Sequence, residues 1–248
     1  MWFITLQVTF LLMVAACLFL ILKKVRRIDT QVWNLKHQLD EALTRQYGQI
    51  EALSALNQLL HTTYPLPPTR GWAGSPDFLL AVAQHTLSNK PETIVECSSG
   101  TSTIVLARCA QLNGKGHVYS LENDIAFANK TRERLQAQGL ASYATVINAP
   151  LTPLSIDGET FSWYGCDVLQ MESIDMLVID GPPAHTMATA RYPAGPMLFG
   201  KLTPGATVFL DDAYRVGERE IVLRWVMAHP TLQVEEIHCE KGLVKIIA

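Results

Sequence analysis

Acidic residues follow four apolar segments of this chain, each at the point where the segment ends. Glu96, Glu122 and Asp180 each close one segment, and Asp211 and Asp212 together close a fourth. Nearly continuous apolar runs are typical of buried parallel strands, and ligands of open α/β sheets bind beyond the carboxyl ends of the strands. We therefore expect the five carboxylates to line one ligand site.

The first two of these acids belong to a β–loop–α–β unit. A β-rich run, Thr93–Cys97, meets the small-residue turn Ser98-Ser99-Gly100, and a helix-like segment, about Thr101–Leu112, leads to a second strand-like run, His117–Leu121, that ends on Glu122. The turn lets a ligand approach the backbone and the helix N-terminus, while the acid can accept hydrogen bonds from two ribose hydroxyls. The unit predicts adenosine binding, and a βα turn without a ligand is the alternative.

The kind of nucleotide cofactor is indicated by what the turn lacks. Gly100 is its single glycine, so the G-x-G-x-x-G fingerprint of dinucleotide-binding proteins is missing, as is a Walker A loop. Glu96 closes the strand directly before the turn, where a carboxylate would repel a phosphate. A cationic cofactor such as S-adenosylmethionine would not be repelled there.

The same residues resemble a known family. The run Glu96-Cys97-Ser98-Ser99-Gly100-Thr101-Ser102-Thr103 is similar to E-x-G-S-G-x-S-T, the first motif of a branch of the class I S-adenosylmethionine-dependent methyltransferases, with Ser98 at the position of the first glycine. The motifs S-L-E, I-D-x-x-x-I-D-G-P-P and L-D-D-A follow in the order of that family. The resemblance covers about Leu66–Ala248. It implies an α/β, Rossmann-like sheet with helices on both faces and a C-terminal antiparallel hairpin.

The resemblance also implies which residues hold S-adenosylmethionine. Glu122 would bind the ribose, Glu96, Ser99 and Gly100 would line the methionine end, and Ala149-Pro150-Leu151 falls where methyltransferases position the adenine. The full predicted set consists of turn residues and strand ends: Glu96, Ser98, Ser99, Gly100, Thr101, Ser102, Glu122, Asn123, Ala149, Pro150, Leu151 and Asp180.

The acids of the later strands allow more than one chemistry. Asp180, Asp211 and Asp212 could hold Mg²⁺ or Mn²⁺, which prefer oxygen ligands. The similar catechol-type O-methyltransferases have an acid after the fourth strand and an acid–amide pair after the fifth, and Asp212 stands here in place of the amide. Asp180 or His185 could instead act as a metal-free general base. A third possibility is structural, with Asp211 and Asp212 as helix caps or partners of Arg215. We predict Asp180, Asp211 and His185 as the catalytic candidates.

The N-terminal segment predicts a membrane anchor. Residues 1–22 carry no charge, and about 20 apolar residues span a bilayer as a helix. Lys23, Lys24, Arg26 and Arg27 follow at once, so the positive-inside rule places the C-terminal side in the cytoplasm. A cleaved signal peptide, or a lipoprotein signal acylated at Cys17, is the alternative. We predict a single-pass protein of the cell (inner) membrane.

A second helical pattern continues from residue 28 to residue 60. Apolar residues recur at alternating spacings of four and three, with two glutamines in the centre: Ile28, Val32, Leu35, Leu39, Ala42, Gln46, Gln49, Leu53, Leu56 and Leu60. Such heptads favour a parallel coiled coil and thus a homo-oligomer. The alternative is a stalk helix that packs on its own domain.

Changes in composition and the positions of proline and glycine divide the chain into parts. We predict an anchor over 1–22, a basic segment and stalk helix over 23–61, a linker over 62–75 and a catalytic domain over 76–248. Within that domain we predict a third strand at Tyr143–Asn148, a long loop at Thr152–Glu172 and a hairpin of Leu232–Cys239 with Leu243–Ile247. The net charge of −3 argues against nucleic acid as a partner, and five scattered cysteines fit a reducing compartment.

These expectations converge on one function. We expect a membrane-anchored methyltransferase that O-methylates a small or saccharide-like acceptor at the cytoplasmic face. A non-catalytic membrane scaffold with a degenerate methyltransferase fold and a nucleotide- or NAD-binding oxidoreductase are the alternatives.

Overall fold

The computed structural model describes residues 2–62, 64–165 and 172–248. The chain divides into two compact units, Met1–Gly48 and Gln49–Ala248.

The first unit is helical. It forms most of α1, Trp2–Leu60, whose apolar N-terminal part is exposed, as Phe10 and Leu18 illustrate. An 18-residue window of α1 has a mean hydropathy of 2.5 and no buried residue, so the helix is long and apolar enough to cross a membrane. Signal sequences share these properties, and the anchor therefore stays a prediction.

The second unit is built on a seven-stranded mixed sheet. Its strand order is β3-β2-β1-β6-β7-β9-β8, in which β3, β2, β1, β6 and β7 are parallel and β9 runs antiparallel to both of its neighbours. The strands of this sheet are β1 Thr93–Cys97, β2 His117–Glu122, β3 Ala144–Asn148, β6 Ile174–Ile179, β7 Leu202–Asp211, β8 Gln233–Ile237 and β9 Leu243–Ile247. The predicted Rossmann-like sheet and its closing antiparallel hairpin are confirmed.

Helices cover both faces of this sheet. The helices of the second unit are α2 Pro76–Asn89, α3 Thr101–Asn113, α4 Ile125–Ala137, α5 Ala194–Leu198 and α6 Val216–Ala228, with a short 3₁₀ turn at Phe199–Lys201. Side chains of the central strands alternate between two cores: Ile94 of β1 packs into the cluster under α2, α3 and α4, and Val95 packs into the cluster that holds α5 and α6. Because both faces are buried, the strands are apolar almost throughout.

The predicted loop Thr152–Glu172 is wrong over its first part. Residues 151–164 form an antiparallel hairpin of β4, Leu151–Ile156, and β5, Glu159–Tyr164. Asp157 and Gly158 form its turn, both with positive φ, which is the usual Asp-Gly signature of a two-residue hairpin. Residues 166–171 of the predicted loop, including Cys166, lie outside the described residues.

The last turns of α1 belong to the second unit. Ala52, Leu56 and Leu60 are buried, and the two leucines join the core cluster of α2 and α3. Gln49 donates a hydrogen bond of 2.7 Å to Asp77 Oδ2. The compact unit thus begins at Gln49, upstream of the predicted domain boundary at residue 76. Three positions of the heptad pattern, Gln49, Leu56 and Leu60, are used inside the unit, as expected for a helix that packs on its own domain.

Candidate active site

The turn between β1 and α3 lies at the carboxyl end of the central strand. Its backbone has two positive φ angles, 112° at Ser98 and 150° at Gly100. Glycine adopts such angles freely, whereas serine does so under strain. The Ser98 amide donates to the Leu121 carbonyl at 2.9 Å, which fixes the turn against the end of β2.

Glu96, the last acid before this turn, is fully buried. Its Oε2 accepts hydrogen bonds of 2.6 Å from the hydroxyls of Thr103 and Ser120. Burial raises the pKa of Glu96, although the hydroxyl hydrogen bonds act in the opposite direction. The carboxyl group therefore joins the start of α3 to β2 beneath the turn.

Glu122, at the tip of β2, holds the same turn from the other side. Its Oε2 accepts from the Ser99 amide at 3.0 Å and from the Ser99 hydroxyl at 2.8 Å, and its Oε1 accepts from the Asp124 amide at 2.9 Å. Asp124 caps α4 by accepting from the Ala126 and Phe127 amides. Oε2 thus accepts two hydrogen bonds and Oε1 accepts one. Because each carboxylate oxygen has two lone pairs, Oε1 can still accept a hydrogen bond from a ligand.

Asp180, Asp211 and Asp212 meet at the ends of β6 and β7. One oxygen atom of each lies within 4.8 Å of the others. Arg191 lies among them, and this was not foreseen: it donates to Asp212 Oδ2 at 2.8 Å and to Asp180 Oδ1 at 3.2 Å. Its other terminal nitrogen donates to the Asp211 carbonyl at 2.9 Å. The acids and Arg191 therefore form a buried network of ion pairs, in which Arg191 supplies the positive charge.

Two further charges complete this network. Arg215 forms an ion pair of 2.8 Å with Asp212, and Glu218 lies 3.7 Å from Arg191. The structural interpretation of Asp212 as a partner of Arg215 is thus confirmed. The N-cap position of α6 is held by Arg215, which makes no side-chain capping hydrogen bond, so Asp211 and Asp212 are not at the cap of this helix.

The protonation of the acids follows from their burial. Burial raises the pKa of Asp180 to about 6, against the lowering effect of Arg191. Burial also raises the pKa of Asp211 well above its usual range, and the charges of Asp180 and Asp212 add to the effect. Both carboxylate oxygens of Asp211 are buried and lack a hydrogen-bond partner among the described residues.

The remaining predicted cofactor residues lie around the same strand ends. Thr101 and Ser102 are buried at the start of α3, and the Thr101 hydroxyl donates to the Pro68 carbonyl at 3.2 Å. The Ala149 amide donates to the Glu122 carbonyl at 2.7 Å, so the segment Ala149-Pro150-Leu151 starts beside Glu122. Asn123, directly after Glu122, is half-buried.

His185 stands apart from the acids. It is exposed, and its ring contacts Trp72 edge-on with 6.0 Å between the ring centroids. No hydrogen bond or ion pair between described residues joins it to Asp180, Asp211 or Asp212.

Sequence reasoning gave no role in the acid cluster to Arg191 or Glu218. One signal could have pointed to Arg191. Several buried acids at one sheet edge require a counter-charge, and Arg191 lies in the segment that connects the two strands ending in these acids.

Together, the parallel sheet, the closing antiparallel strands and the acids at the strand ends define the class I methyltransferase fold. A family model described as "Methyltransferase domain" matches residues 95–213, which include every one of these acids. The resemblance seen in the sequence is therefore confirmed, and residues 95–213 are similar to a methyltransferase domain.

Solved structures are similar at the level of the fold. The S-adenosylhomocysteine-bound methyltransferase PaMTH1 of Podospora anserina is 14% identical with a TM-score of 0.56, over 79% of this chain and 86% of that one. An O-methyltransferase from Bacillus cereus, also with S-adenosylhomocysteine, is 18% identical with a TM-score of 0.53, over 83% and 97% of the two chains. The O-methyltransferase TomG of Streptomyces achromogenes, in complex with S-adenosylmethionine, has the same identity and TM-score over 80% and 89%. No curated protein sequence matches the chain significantly.

Proposed function

We propose that this protein is an S-adenosylmethionine-dependent methyltransferase that methylates an oxygen atom of a small or saccharide-like acceptor. The observation that carries the proposal is the pair formed by Glu122 and the Ser98–Gly100 turn. Glu122 is held by Ser99 and Asp124 at the tip of β2, so it is oriented before any ligand arrives. A carboxylate at this position of an α/β sheet can accept hydrogen bonds from the two ribose hydroxyls.

The neighbouring residues fit the rest of such a cofactor. S-adenosylmethionine supplies an electrophilic methyl group on a sulfonium, which is transferred by in-line displacement. Glu96, Ser98, Ser99, Gly100, Thr101 and Ser102 surround its methionine end, and Asn123 with Ala149, Pro150 and Leu151 surround its adenosine. The small turn leaves room for close approach to the backbone.

Asp180 is suited to take the proton of an acceptor hydroxyl. With a pKa of about 6 it is mostly deprotonated at neutral pH, yet basic enough to accept a proton. Arg191, bound at 3.2 Å, keeps one of its oxygen atoms in place. His185 is a less suitable base because it is exposed and joined to Trp72 instead of the acids.

A divalent cation is a second candidate for the acid cluster. Asp180, Asp211 and Asp212 offer only oxygen donors, and both oxygens of Asp211 are buried without a partner among the described residues. This donor set fits Mg²⁺ or Mn²⁺, which would lower the pKa of a bound hydroxyl. Arg191 already supplies positive charge to two of the three acids, and we therefore favour the metal-free base.

Asp211→Asn separates these two chemistries. The metal-free base predicts that the neutral amide leaves activity within about twofold and activity insensitive to EDTA. The metal site predicts that wild-type activity is lost in EDTA and restored by Mg²⁺ or Mn²⁺, and that Asp211→Asn fails to respond. Glu133→Gln, at an exposed site on α4, is the control.

The apolar part of α1 supports a location at a membrane. Residues 2–22 would cross the bilayer, and the basic residues from Lys23 to Arg27 would keep the methyltransferase domain on the cytoplasmic face. Four positions of the heptad pattern are exposed and available for self-association through a coiled coil: Ile28, Val32, Leu35 and Leu39.

Calorimetric binding of S-adenosylmethionine and S-adenosylhomocysteine to the full chain in detergent tests the proposal. We expect micromolar affinity, and a loss of at least tenfold, about 1.4 kcal/mol, in Glu122→Gln, which keeps the shape of the side chain. Glu133→Gln should bind as the wild type does.

A non-catalytic scaffold is the second candidate function. It is favoured by Ser98, which holds a strained backbone angle where the similar methyltransferases have glycine. If the folded wild-type protein binds neither cofactor up to millimolar concentration, the scaffold replaces the enzyme as the better interpretation.

A further inference from the structure

Tyr164, the last residue of β5, carries a buried hydroxyl that no described residue hydrogen-bonds. The side chain is 2% exposed, and its oxygen atom has no hydrogen-bond partner among the described residues. A buried hydroxyl that loses its hydrogen bonds to water costs free energy unless something replaces them. Such a group is therefore either a structural defect or a hydrogen-bond donor that is available to a ligand.

The hydroxyl lies at the strand ends that form the candidate site. A Cβ atom placed on Gly181, the residue after Asp180, would lie only 2.4 Å from the Tyr164 oxygen and 3.0 Å from the Ser98 Cβ. The phenol therefore reaches the gap between the turn after β1 and the turn after β6. Any residue with a Cβ at position 181 would clash with the phenol, so Gly181 permits this close approach.

The surroundings of Tyr164 keep the phenol neutral. Burial raises its pKa well above the ordinary value, and the nearby Cys97, Glu122 and Asp180 act in the same direction while Arg191 acts against it. A neutral phenol is a hydrogen-bond donor at every physiological pH. Arg191, the charged donor among these groups, is already engaged with Asp180 and Asp212.

We propose that the Tyr164 hydroxyl donates a hydrogen bond to the carboxylate of the methionine end of the bound cofactor. This inference rests on the proposed function, because it takes S-adenosylmethionine as the ligand. The carboxylate is the one anionic group of that cofactor and its strongest acceptor. Glu122 is positioned for the ribose, and the Tyr164 hydroxyl lies beside Ser98 of the turn that lines the methionine end.

The test compares Tyr164→Phe with the wild type in the full chain in detergent. Calorimetric binding of S-adenosylhomocysteine should weaken about tenfold. Binding of 5′-methylthioadenosine, which has the adenosine and the thioether but no amino-acid end, should be unchanged. Tyr143→Phe, the same chemical change on a half-buried ring at the other core cluster, should alter neither affinity.

Stability separates a binding role from a packing role. Because the variant removes a hydroxyl without a partner, the melting temperature of ligand-free Tyr164→Phe should rise by about 2 to 4 °C while its affinity falls. A lower melting temperature together with wild-type affinity for S-adenosylhomocysteine would make the hydroxyl structural and overturn the proposal.

Three other outcomes are also informative. Equal losses for both ligands would place the contact on the adenosine half and refute the assignment to the carboxylate. If the wild type binds S-adenosylhomocysteine and Tyr164→Phe binds it equally well, the tyrosine has no role and the proposed function stands. If the folded wild type does not bind S-adenosylhomocysteine, the proposed function itself fails.

Discussion

Ser98 holds a backbone angle that glycine adopts more easily than any other residue. Its φ of 112° lies outside the regions that side chains with a Cβ favour, and holding a residue there costs on the order of 1–3 kcal/mol. Glu122 and the Leu121 carbonyl hold the turn from two sides, through the Ser99 and Ser98 amides. The strain is thus confined to the loop that would face the cofactor.

Ser98→Gly should stabilise the protein. Relief of the positive φ outweighs the greater freedom of glycine in the unfolded chain, so we expect the free energy of unfolding to rise by about 1 kcal/mol in urea denaturation. Gly100→Ser, at φ 150°, is the reverse change in the same turn and should destabilise. A loss of stability in Ser98→Gly would show that the serine side chain compensates for the angle.

Asp180 should give the enzyme a pH dependence. As the general base it must be deprotonated, so kcat/KM should rise with pH through an apparent pKa of about 6 and then level off. Asp180→Asn should lose at least two orders of magnitude in kcat with little change in cofactor affinity. A pH profile that is flat between 5 and 8 in the wild type would contradict this role.

Asp180 should also make the free energy of unfolding depend on pH in a defined direction. Its pKa is 3.8 ordinarily and about 6 in the fold, so its contribution favours the folded state at low pH and is lost as pH rises through 6. His85 acts in the opposite direction, because burial lowers its pKa to about 4 and the fold loses stability as pH falls below 6.5. The difference between wild type and Asp180→Asn, measured from pH 4 to 7, isolates the contribution of Asp180.

The last turns of α1 have a different environment from the rest of the helix. Leu56 is fully buried against the core, whereas Leu43 is 58% exposed. Leu56→Ala should lower the free energy of unfolding by about 2–5 kcal/mol. Leu43→Ala, the same truncation on the same helix, should change it by less than about 0.5 kcal/mol. Urea denaturation followed by tryptophan fluorescence measures both, and equal losses would contradict the packing.

Helices and strands could be predicted wherever the apolar residues of the sequence follow one clear periodicity. The five parallel strands and the helices α1 and α3 could be predicted because apolar runs and helical apolar spacing pointed to them. The β4–β5 hairpin was missed, although Asp157-Gly158 carries the turn signature, because its strands are short and half exposed. The heptad pattern over 28–60 could not reveal that its last positions pack into the domain, since a coiled coil and a core helix share one apolar period.

At the scale of the whole molecule, the sequence was enough to predict the fold and the edge of the sheet where the site lies. The acids could be placed at that edge because parallel strands end there. Their partner Arg191 could not, because it comes from a connecting segment whose path depends on tertiary packing. Burial, which sets the pKa of Asp180 and Asp211, is likewise a property of the fold.

The compact unit that begins at Gln49 should function without the anchor. A variant that lacks residues 1–22 should leave the membrane fraction and bind S-adenosylhomocysteine within twofold of the full chain, because the core contains no residue of that segment. Cell fractionation and calorimetry check the two parts. Retention of the truncated protein in the carbonate-washed membrane would contradict the assignment of the anchor to residues 1–22.

The two outer strands of the sheet, β3 and β8, are protected in different ways against pairing with a strand of another molecule. On β3, Arg132 donates two hydrogen bonds, of 2.7 and 3.1 Å, to the Val146 carbonyl. On β8, Glu235 and Glu236 are exposed, and a second acidic strand would be repelled. Both features disfavour pairing with a further strand, so crowding of many copies on one surface should not promote amyloid-like aggregation through these edges.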